Sequence, residues 1–571
     1  MATLSCRTMT PIRTGLAMAA ATLLAACAPT LPANAAPAES PAQVQIKVLA
    51  INDFHGHLQP PPGGFRQPDP KAPGQTVAVP AGGAEYMASA LRELRARSPH
   101  HVFVAAGDLV GASPLLSALF HDEPTLESLS AMGLHVSAVG NHEFDKGVAE
   151  LKRRIAGGCH PKQGCKGPQP FKGTGFKYLA ASTIDTATGK TLLPPYHVQL
   201  FEGVPVAFIG LTLKGTPGLV MPSAVAGLRF EDEAETVNRL VPELRAQGIE
   251  AIVVLIHEGG FPTGGHNECP GISGPIVDIV KRMDPAVDAV LTGHTHRAYN
   301  CRIDGKLVTS GDKFGSMVTE IDLQLDRQSR HVIAISANNH LVRLDQYAKD
   351  TEQTALLAGY IEKAKPLAER AVGRLAREIR PGSADPAGNW PMGYLVADAH
   401  LAATRAPADG GAEFAFTNVG GVRAGLPFKE GGRISFGDLF TVQPFNNQLV
   451  TLTLSGAELL ELLESQWRDD GYFMPLQPSQ GFRFSWDAQR PLGQRVVPGS
   501  VRIHEQPLEP QRDYRFTVNA FIASGGDSYP VMKRGRNAQL GVLDIDALES
   551  FVRSLPMVQA PTQLDRIHRL N

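Results

Sequence analysis

Short apolar runs that end in polar residues recur along the first half of the chain, at residues 46–51, 101–106, 251–256 and 286–291. Helix-like stretches at residues 84–97 and 235–247 separate them, and a kink is expected in the second at Pro242. Continuous apolar runs are typical of strands buried on both faces, and their alternation with helices is typical of an α/β domain. We therefore predict an N-terminal α/β domain over residues 44–343.

The pattern changes after residue 343. Residues 344–372 are rich in Ala, Glu and Lys with periodic Leu and Ile, which predicts one continuous connecting helix. Beyond it, a helix is expected at residues 394–403 and strands at 414–417 and 449–454. We predict a second domain, α/β or α+β, over residues 373–571, since a chain of 571 residues exceeds the size of a single core.

The N-terminus has the composition of an export signal. Arg7 and Arg13 precede an apolar stretch at residues 15–26 that is too short to span a bilayer comfortably. Two cleavage sites remain open: Ala-Asn-Ala at 33–35 fits release of a soluble protein, whereas Leu-Ala-Ala-Cys27 resembles a lipoprotein box that would place a lipid on Cys27. We predict a signal peptide at 1–36 (or one that ends before Cys27), a tether at 37–43, and a protein that is periplasmic or anchored to the outer membrane.

Four cysteines lie beyond the predicted leader. An even number in an exported chain suggests two disulfides, and proximity in sequence favours Cys159–Cys165 and Cys269–Cys301. Four cysteines allow three connectivities, and a metal–thiolate site is the alternative, although the spacings do not resemble a zinc ribbon.

The charges of the chain almost balance, with 54 Lys+Arg against 56 Asp+Glu. Such a chain has neither the basic footprint of a protein that binds nucleic-acid polymers nor a polybasic membrane patch. A protein partner cannot be inferred from this composition. Any nucleotide ligand must therefore be held by a local site.

Potential metal ligands follow the apolar runs of the first domain. In an open α/β sheet, ligand sites lie just beyond the carboxyl ends of strands, so these residues are expected to meet at one site. Their side chains suit borderline divalent ions, and their number exceeds what one tetrahedral ion needs. Asp108 could bridge two ions, and a two-metal centre polarises a phosphate and activates water. These polar clusters are residues 52–55, 107–108, 140–143, 257 and 292–296.

These blocks resemble the signature of the calcineurin-like metallophosphoesterases. The blocks are Asp-Phe-His55, Gly-Asp108, Gly-Asn-His-Glu143, His257 and Gly-His-Thr-His296. Over about residues 45–560 the chain is similar to the 5'-nucleotidase family, which includes bacterial UDP-sugar hydrolases and animal ecto-5'-nucleotidases. The resemblance implies a four-layer αββα metallophosphoesterase domain, a hinge helix at 344–372 and a C-terminal α/β nucleotide-binding domain.

The resemblance also implies a role for each residue of these blocks. Asp53, His55 and His296 would hold one divalent ion, zinc or manganese, with Asp108 bridging to a second ion. Asn141, His257 and His294 would hold that second ion. His142 resembles the family's catalytic histidine, and Asp145 would orient its ring, although Asp145 alone is also compatible with a helix N-cap.

Motifs of the C-terminal region resemble the family's substrate site. The block Asn418-Val-Gly-Gly-Val-Arg423 would offer the Asn418 amide to the base or ribose and the Arg423 guanidinium to phosphate. Phe445 and Phe521 match the two aromatics that sandwich a nucleobase, and Asp527 would accept hydrogen bonds from ribose hydroxyls. Taken alone, these residues also fit two core phenylalanines and an ordinary Gly-Gly-Asp turn.

One departure from the family pattern concerns the phosphate. Family members usually carry arginines just ahead of an Asn-Met-Gly helix start, and residues 385–393 here contain none. Arg374, Arg377 and Arg380 lie earlier and are the candidates to replace them.

The implied activity is hydrolysis of 5'-nucleotides, or of UDP-sugars and nucleoside di- or triphosphates, after rotation of the two domains. A 2',3'-cyclic nucleotide phosphodiesterase with 3'-nucleotidase activity shares the metal blocks and is the enzymatic alternative. A thiosulfohydrolase shares the fold, but no feature of the sequence favours it. A catalytically silent, lipid-anchored binding protein is the alternative of another class, and it would be favoured by a missing ligand.

Overall fold

A computed structural model describes residues 42–69, 71–72, 75–380, 384–468 and 472–571. The predicted signal peptide, Cys27 and residues 37–41 of the predicted tether lie outside these ranges. The first strand begins at Gln43, inside the predicted tether. Within the described ranges, no helix is long and apolar enough to cross a membrane.

In the described residues of the N-terminal half there are seventeen strands and seven α-helices. The strands are β1 (Gln43–Ile51), β2 (Phe65–Pro68), β3 (Thr76–Val79), β4 (His101–Ala105), β5 (Val136–Ala138), β6 (Lys177–Leu179), β7 (Thr183–Asp185), β8 (Lys190–Thr191), β9 (Tyr196–Phe201), β10 (Val204–Thr212), β11 (Leu228–Phe230), β12 (Ala251–His257), β13 (Ala289–Thr292), β14 (Ala298–Ile303), β15 (Lys306–Gly311), β16 (Met317–Asp326) and β17 (Val332–Leu341). The helices are α1 (Ala84–Arg95), α2 (Leu115–Ala118), α3 (Glu123–Ala131), α4 (Val148–Ala156), α5 (Glu233–Ala246), α6 (Pro275–Arg282) and α7 (Thr351–Ala368).

Two six-stranded sheets form the centre of this half. Their orders are β17-β16-β1-β4-β5-β6 and β14-β15-β13-β12-β10-β9. Strands β1, β4, β5 and β6 are parallel, as are β10, β12, β13 and β15, while the outer strands β16, β17, β9 and β14 are antiparallel to their neighbours. The carboxyl ends of the parallel strands in each sheet therefore lie along one edge.

The sheets pack face to face, with helices on the outside. Val48 of β1 and Val253 of β12 belong to one buried cluster between the sheets. The neighbouring residue on β1, Leu49, packs with α1 and α3, whereas Val254 of β12 packs with α5 and α6. Strands buried on both faces explain the continuous apolar runs, and the predicted four-layer αββα arrangement is confirmed.

In the described residues of the C-terminal half there are eleven strands and five α-helices. The strands are β18 (Ala371–Arg374), β19 (Phe414–Thr417), β20 (Arg433–Ser435), β21 (Gln448–Ser455), β22 (Gln477–Pro478), β23 (Phe482–Trp486), β24 (Arg502–Ile503), β25 (Gln506–Pro507), β26 (Asp513–Asn519), β27 (Arg536–Leu543) and β28 (Ile567–Arg569). The helices are α8 (Pro391–Thr404), α9 (Phe436–Val442), α10 (Gly456–Glu464), α11 (Ala520–Ala523) and α12 (Asp544–Ser554). A mixed five-stranded sheet, ordered β22-β19-β26-β21-β27, is its largest sheet.

The connecting helix is shorter than the predicted span of 344–372. Helix α7 begins after Asp350, whose side chain accepts a hydrogen bond from the Gln353 backbone N–H at 2.9 Å and so caps the first turn. It ends at Ala368, and residues 371–374 form β18 instead. Leu357 and Tyr360 bury α7 in the core of the N-terminal half.

Both favoured disulfides are confirmed. Cys159 is joined to Cys165, and Cys269 is joined to Cys301. The second bond links the loop before α6 to β14, next to the loop that carries His294 and His296.

Candidate active site

The seven predicted ligands lie at the carboxyl ends of five parallel strands. Loops after β1, β4 and β5 belong to the first sheet, and His257 ends β12 in the second sheet, next to the loop after β13. Five of the ligand residues have positive φ angles, which non-glycine residues rarely adopt. They are Asp53 (50°), His55 (46°), Asp108 (51°), His294 (67°) and His296 (53°). Such local backbone strain is typical of functional sites, where surrounding structure holds it in place.

Asp53, His55 and His296 form the first group of ligand atoms. His55 Nε2 lies 3.2 Å from His296 Nε2, and Asp53 Oδ1 lies 3.3 Å from His296 Nε2 and 3.7 Å from His55 Nε2. All three ligand atoms lie within 4.8 Å of one another, so one ion could contact all of them. These are the residues that the sequence assigned to one ion.

Asp108, His257 and His294 form the second group, again with ligand atoms within 4.8 Å of one another. Asp108 Oδ2 lies 2.8 Å from His257 Nε2 and 3.6 Å from His55 Nε2. Asp108 therefore reaches residues of both groups, which is the position required of a bridging ligand. A third grouping of His55, Asp108 and His142 shares two members with the others and is not an independent site.

Hydrogen bonds orient the imidazoles of His55 and His257. Nδ1 of His55 lies 2.9 Å from the Gly111 carbonyl oxygen, and Nδ1 of His257 lies 2.8 Å from the Ala106 carbonyl oxygen. A carbonyl only accepts, so each Nδ1 carries a proton and Nε2 is the nitrogen left to bind a metal ion. Protein residues that fix the tautomer in this way are typical of metal-binding histidines.

One buried ligand atom has no partner among the described residues. The amide oxygen Oδ1 of Asn141 is inaccessible to solvent and makes no hydrogen bond. An unpaired buried polar atom is costly, and a cation would satisfy this acceptor. Together with the mixed imidazole, carboxylate and amide donors, this observation fits divalent metal ions at the cluster.

The pKa values at the cluster reflect both burial and carboxylate charge. Burial lowers the pKa of His294 to about 4 and holds the pKa of His296 well below its usual value, which leaves both rings neutral. Burial acts in the same direction on His257, but the Asp108 and Asp53 carboxylates outweigh it and raise the pKa of His257 to about 10. His257 thus keeps a proton that neutralises these carboxylates, and a bound cation would displace that proton.

His142 and Asp145 lie beside the cluster. His142 Nδ1 donates to Asp145 Oδ2 at 2.8 Å, and the His142 ring is 5.1 Å from the His55 ring. Burial lowers the pKa of His142, but the Asp145 and Asp108 carboxylates outweigh burial and raise it. Asp145 follows the short helical turn His142–Phe144. Its carboxylate accepts a hydrogen bond from the His142 ring, which is the orienting contact that we expected for Asp145.

Glu143 is a structural residue of the site that the sequence did not single out. Its carboxylate accepts hydrogen bonds from the backbone N–H groups of Asp108, Leu109 and Gly140, at 3.0, 2.8 and 2.6 Å. Burial, followed by the charge of Asp108, raises the pKa of Glu143 to about 7. Its place in the Gly-Asn-His-Glu block was the only sequence signal for Glu143. Its role depends on contacts with the loop after β4, which the sequence does not reveal.

Two predicted substrate residues reach the cluster from the C-terminal half. The Phe445 ring stacks on the His142 ring at 5.8 Å, and Arg423 Cζ lies 6.0 Å from the Phe445 centroid. The buried Nη2 of Arg423 has no hydrogen-bond partner among the described residues. The backbone oxygen of Phe445 also accepts from Lys146 Nζ at 3.3 Å, which ties this loop to the N-terminal half.

The other three predicted substrate residues form a second group. Asn418 Nδ2 donates to Asp527 Oδ2 at 2.6 Å, and Asn519 Nδ2 donates to Asn418 Oδ1 at 3.0 Å. Phe521 packs so closely on Gly526 that a β-carbon there would lie 2.4 Å from its ring. Burial raises the pKa of Asp527 to about 6 against the opposing effect of its hydrogen bond with Asn418.

The three arginines considered as replacements lie elsewhere. Arg374, Arg377 and Arg380 are exposed, and Arg380 pairs with Glu378 at 3.4 Å. Within the described part of the chain, none of them contacts a residue of the metal cluster. The structure therefore does not bring these arginines to the site.

Comparisons with known proteins match both halves of the chain. A family model for the calcineurin-like phosphoesterase matches residues 46–298, and a model for the 5'-nucleotidase C-terminal domain matches residues 371–534. The solved 5'-nucleotidase precursor from Thermus thermophilus is similar over 92% of this chain and 100% of its own, with 26% identity and a TM-score of 0.76.

Two curated relatives are longer than this chain. The endonuclease YhcR of Bacillus subtilis is 32% identical over 529 residues, which are 92% of this chain and 41% of that protein. The cell wall protein Lmo0130 of Listeria monocytogenes is 30% identical over 524 residues, which are 86% of this chain and 64% of that protein. The chain thus spans less than two thirds of either relative.

Proposed function

Since the chain belongs to the family that joins a calcineurin-like phosphoesterase domain to a 5'-nucleotidase C-terminal domain, we propose that it hydrolyses 5'-nucleotides to nucleoside and phosphate. The observation that carries this proposal is the convergence of two ligand groups on Asp108, with Arg423 and Phe445 beside them. A metal cluster next to an unpaired guanidinium and an aromatic ring suits a ligand that carries both a phosphate group and an aromatic base.

We assign two divalent ions, zinc or manganese, to the cluster. Asp53, His55 and His296 would hold one ion, Asn141, His257 and His294 the other, and Asp108 both. Such ions supply Lewis acidity: they stabilise charge on the phosphoryl oxygens and lower the pKa of water. The orphaned acceptor on Asn141 supports this assignment.

The reaction replaces one P–O bond with another. Water adds its oxygen to phosphorus in line with the leaving 5'-oxygen of the ribose, whose bond to phosphorus breaks. His142 is suited to protonate that leaving oxygen from Nε2, because Nδ1 donates to Asp145 and the neighbouring carboxylates favour the protonated ring. The products are a nucleoside and inorganic phosphate.

The C-terminal half would supply recognition of the nucleotide. Phe445 and Phe521 are proposed to sandwich the base, and Arg423 to bind phosphate. Asp527 is proposed to accept hydrogen bonds from the ribose hydroxyls, with its carboxylate held by Asn418. Glu369 and Arg370, between α7 and β18, are the natural hinge for a domain rotation that loads the substrate.

We also propose that the mature protein works outside the cytoplasm, in the periplasm or on the outer membrane. The two disulfides support this location, because such bonds persist in oxidising compartments. Mass spectrometry of the mature N-terminus would distinguish a lipid on Cys27 from a free Ala36.

Phosphate release from a substrate panel tests the proposed activity. The panel contains AMP, ATP, UDP-glucose, 2',3'-cyclic AMP, p-nitrophenyl phosphate and a DNA oligonucleotide, each with manganese, with zinc and with EDTA. Preference for 5'-nucleotides that is lost with EDTA is the expected result. Turnover of the cyclic nucleotide alone would favour the phosphodiesterase, and no turnover of any substrate would favour the silent binding protein.

A further inference from the structure

Lys313 lies in the turn between β15 and β16, which is attached to the first metal-ligand loop. The Asn52 side chain donates to the Asp312 carbonyl oxygen at 2.6 Å, and the Phe314 backbone N–H donates to the Asp53 carbonyl oxygen at 2.8 Å. Asp312 and Phe314 both have a φ of 61°, so the turn has an unusual backbone that these bonds hold in place. The position of Lys313 is therefore fixed relative to Asp53.

The ring of Phe314 contacts both Lys313 and the ligand imidazoles. Its centroid is 5.9 Å from that of His55 and 5.8 Å from that of His296, in edge-on contacts. Lys313 Nζ is 4.8 Å from the same centroid. The ammonium group and two ligands of the first group therefore share one aromatic neighbour, and Nζ lies at a cation–π distance from it.

No carboxylate pairs with this ammonium group. Among the described residues, no acidic oxygen lies within 4.0 Å of Lys313 Nζ, and the carboxylate of neighbouring Asp312 accepts from Ser316 Oγ at 2.9 Å instead. Lys313 is therefore a half-buried cation without a partner. Such a charge is costly unless an anion arrives to pair with it.

Arg423 is a second cation near the cluster, and its Nη2 has no hydrogen-bond partner among the described residues. It is connected to the His55 ring through Phe445 and His142. Lys313 and Arg423 are close enough to repel each other: burial, and then the charges of Arg423 and Arg297, lower the pKa of Lys313 against the effects of Asp312 and Asp53. Two like charges from two domains that face one metal cluster fit a multiply charged oxyanion between them.

We propose that Lys313 is a phosphate-binding residue, which contacts the phosphoryl oxygens from the N-terminal half while Arg423 contacts them from the C-terminal half. This inference rests on the proposed function for the identity of the substrate, but binding of phosphate itself can be measured separately. It also explains how the site binds phosphate without a cation in residues 385–393.

The test compares Lys313→Gln and Lys313→Met with Lys313→Arg in the metal-loaded full chain. Lys313→Met keeps the aliphatic contact with Phe314, so a loss shared by both neutral variants is due to charge. We expect the Kd for inorganic phosphate, measured by calorimetry, and the KM for AMP each to rise about tenfold, while kcat changes less than about threefold. Lys313→Arg should restore most of the affinity, and Lys281→Gln, at an exposed position on α6, is the control that should match the wild type.

Two results would overturn the inference. One is an unchanged phosphate Kd in both neutral variants. The other is loss of bound metal in these variants, because Lys313 would then act on the cluster rather than on phosphate. A wild type that hydrolyses no 5'-nucleotide, but whose phosphate affinity depends on Lys313, would refute the proposed function and leave this inference standing.

Discussion

The nitrogen atoms that His55 and His257 present to the cluster are selected by single hydrogen bonds. In each case a backbone carbonyl accepts a hydrogen bond from Nδ1, so Nε2 is the nitrogen that faces the other ligands. The same loops bring Asp108 within reach of both rings. Individual residues therefore have separable roles, which substitutions can distinguish.

Asp108→Ala should remove metal and activity together. Asp108 is the residue that reaches both ligand groups, so its loss should lower manganese content from two ions per chain to fewer than one, and turnover of AMP by more than about a thousandfold. Metal analysis and phosphate release on the same sample measure both. Asp278→Ala, on the exposed face of α6, is the control. Full activity in the Asp108 variant would contradict the two-metal assignment.

His142→Ala should instead leave the metals in place. Because His142 Nδ1 is bound to Asp145 and its ring lies beside the ligands, we expect kcat for AMP to fall about 10²–10³-fold with unchanged metal content. Asp145→Asn should give a smaller fall, about tenfold to a hundredfold, because it weakens the orientation of the ring and the charge that favours its protonated form but leaves the imidazole in place. A His142 variant with normal kcat would exclude its role in protonating the leaving oxygen.

Among the elements, loops carry the chemistry and parallel strands position them. The ligand loops meet because β1, β4 and β5 point the same way in one sheet, and β12 and β13 do so in the other. In the C-terminal half, the turn after β19 positions a predicted substrate residue. Gly420 and Gly421 let the backbone fold tightly around the Asn418 side chain.

Gly421→Ala should weaken substrate binding. A β-carbon at position 421 would lie 2.6 Å from Asn418 Oδ1, so the Asn418 side chain must move and its bond to Asp527 is disturbed. We expect KM for AMP to rise about tenfold with little change in kcat, measured by steady-state kinetics. Gly215→Ala, where a β-carbon has ordinary contacts and φ is −71°, is the matched control. Equal KM values for both variants would argue against a binding role for this turn.

Sequence patterns predicted the residues of the site more accurately than they predicted where helices and strands begin and end. Apolar runs followed by Asp, His and Asn predicted which residues converge, because the ends of parallel strands must share one edge of a sheet. The span 344–372 was too long, because Ala- and Leu-rich periodicity does not show that Asp350 caps the helix or that residues 371–374 pair with β20. Lys313 was missed because its position depends on a turn held by Asn52 and Asp53, from more than two hundred and fifty residues earlier in the chain.

In the molecule as a whole, the C-terminal half is packed over the metal cluster. Phe445 covers His142, the Phe261 and Tyr472 rings stack at 5.9 Å, and Leu115 of α2 joins an apolar cluster that is otherwise C-terminal. The Asp53 and Asp108 carboxylates of the cluster are buried, which strengthens electrostatic interactions there.

Acid stability of the whole protein should depend on His400. This residue of α8 is fully buried, its Nε2 lies 3.1 Å from Gln443 Nε2, and burial lowers its pKa from 6.5 to about 4. The unfolded chain therefore binds the proton more tightly, so stability is complete above about pH 6.5 and is lost as the pH falls towards 4. His400→Gln should lose about 3 kcal/mol less unfolding free energy than the wild type between pH 7 and about pH 4. Denaturant titrations measure this difference, with exposed His331→Gln as the control; parallel pH profiles for all three proteins would refute it.

Metal titration of the metal-free protein, followed by phosphate release from AMP, tests the central claim most directly. The chain should be inactive without metal and gain activity until two equivalents of manganese are bound, because the ligand groups share Asp108 and both ions are needed. Saturation at one equivalent, or hydrolysis of AMP that persists without metal, would contradict the account.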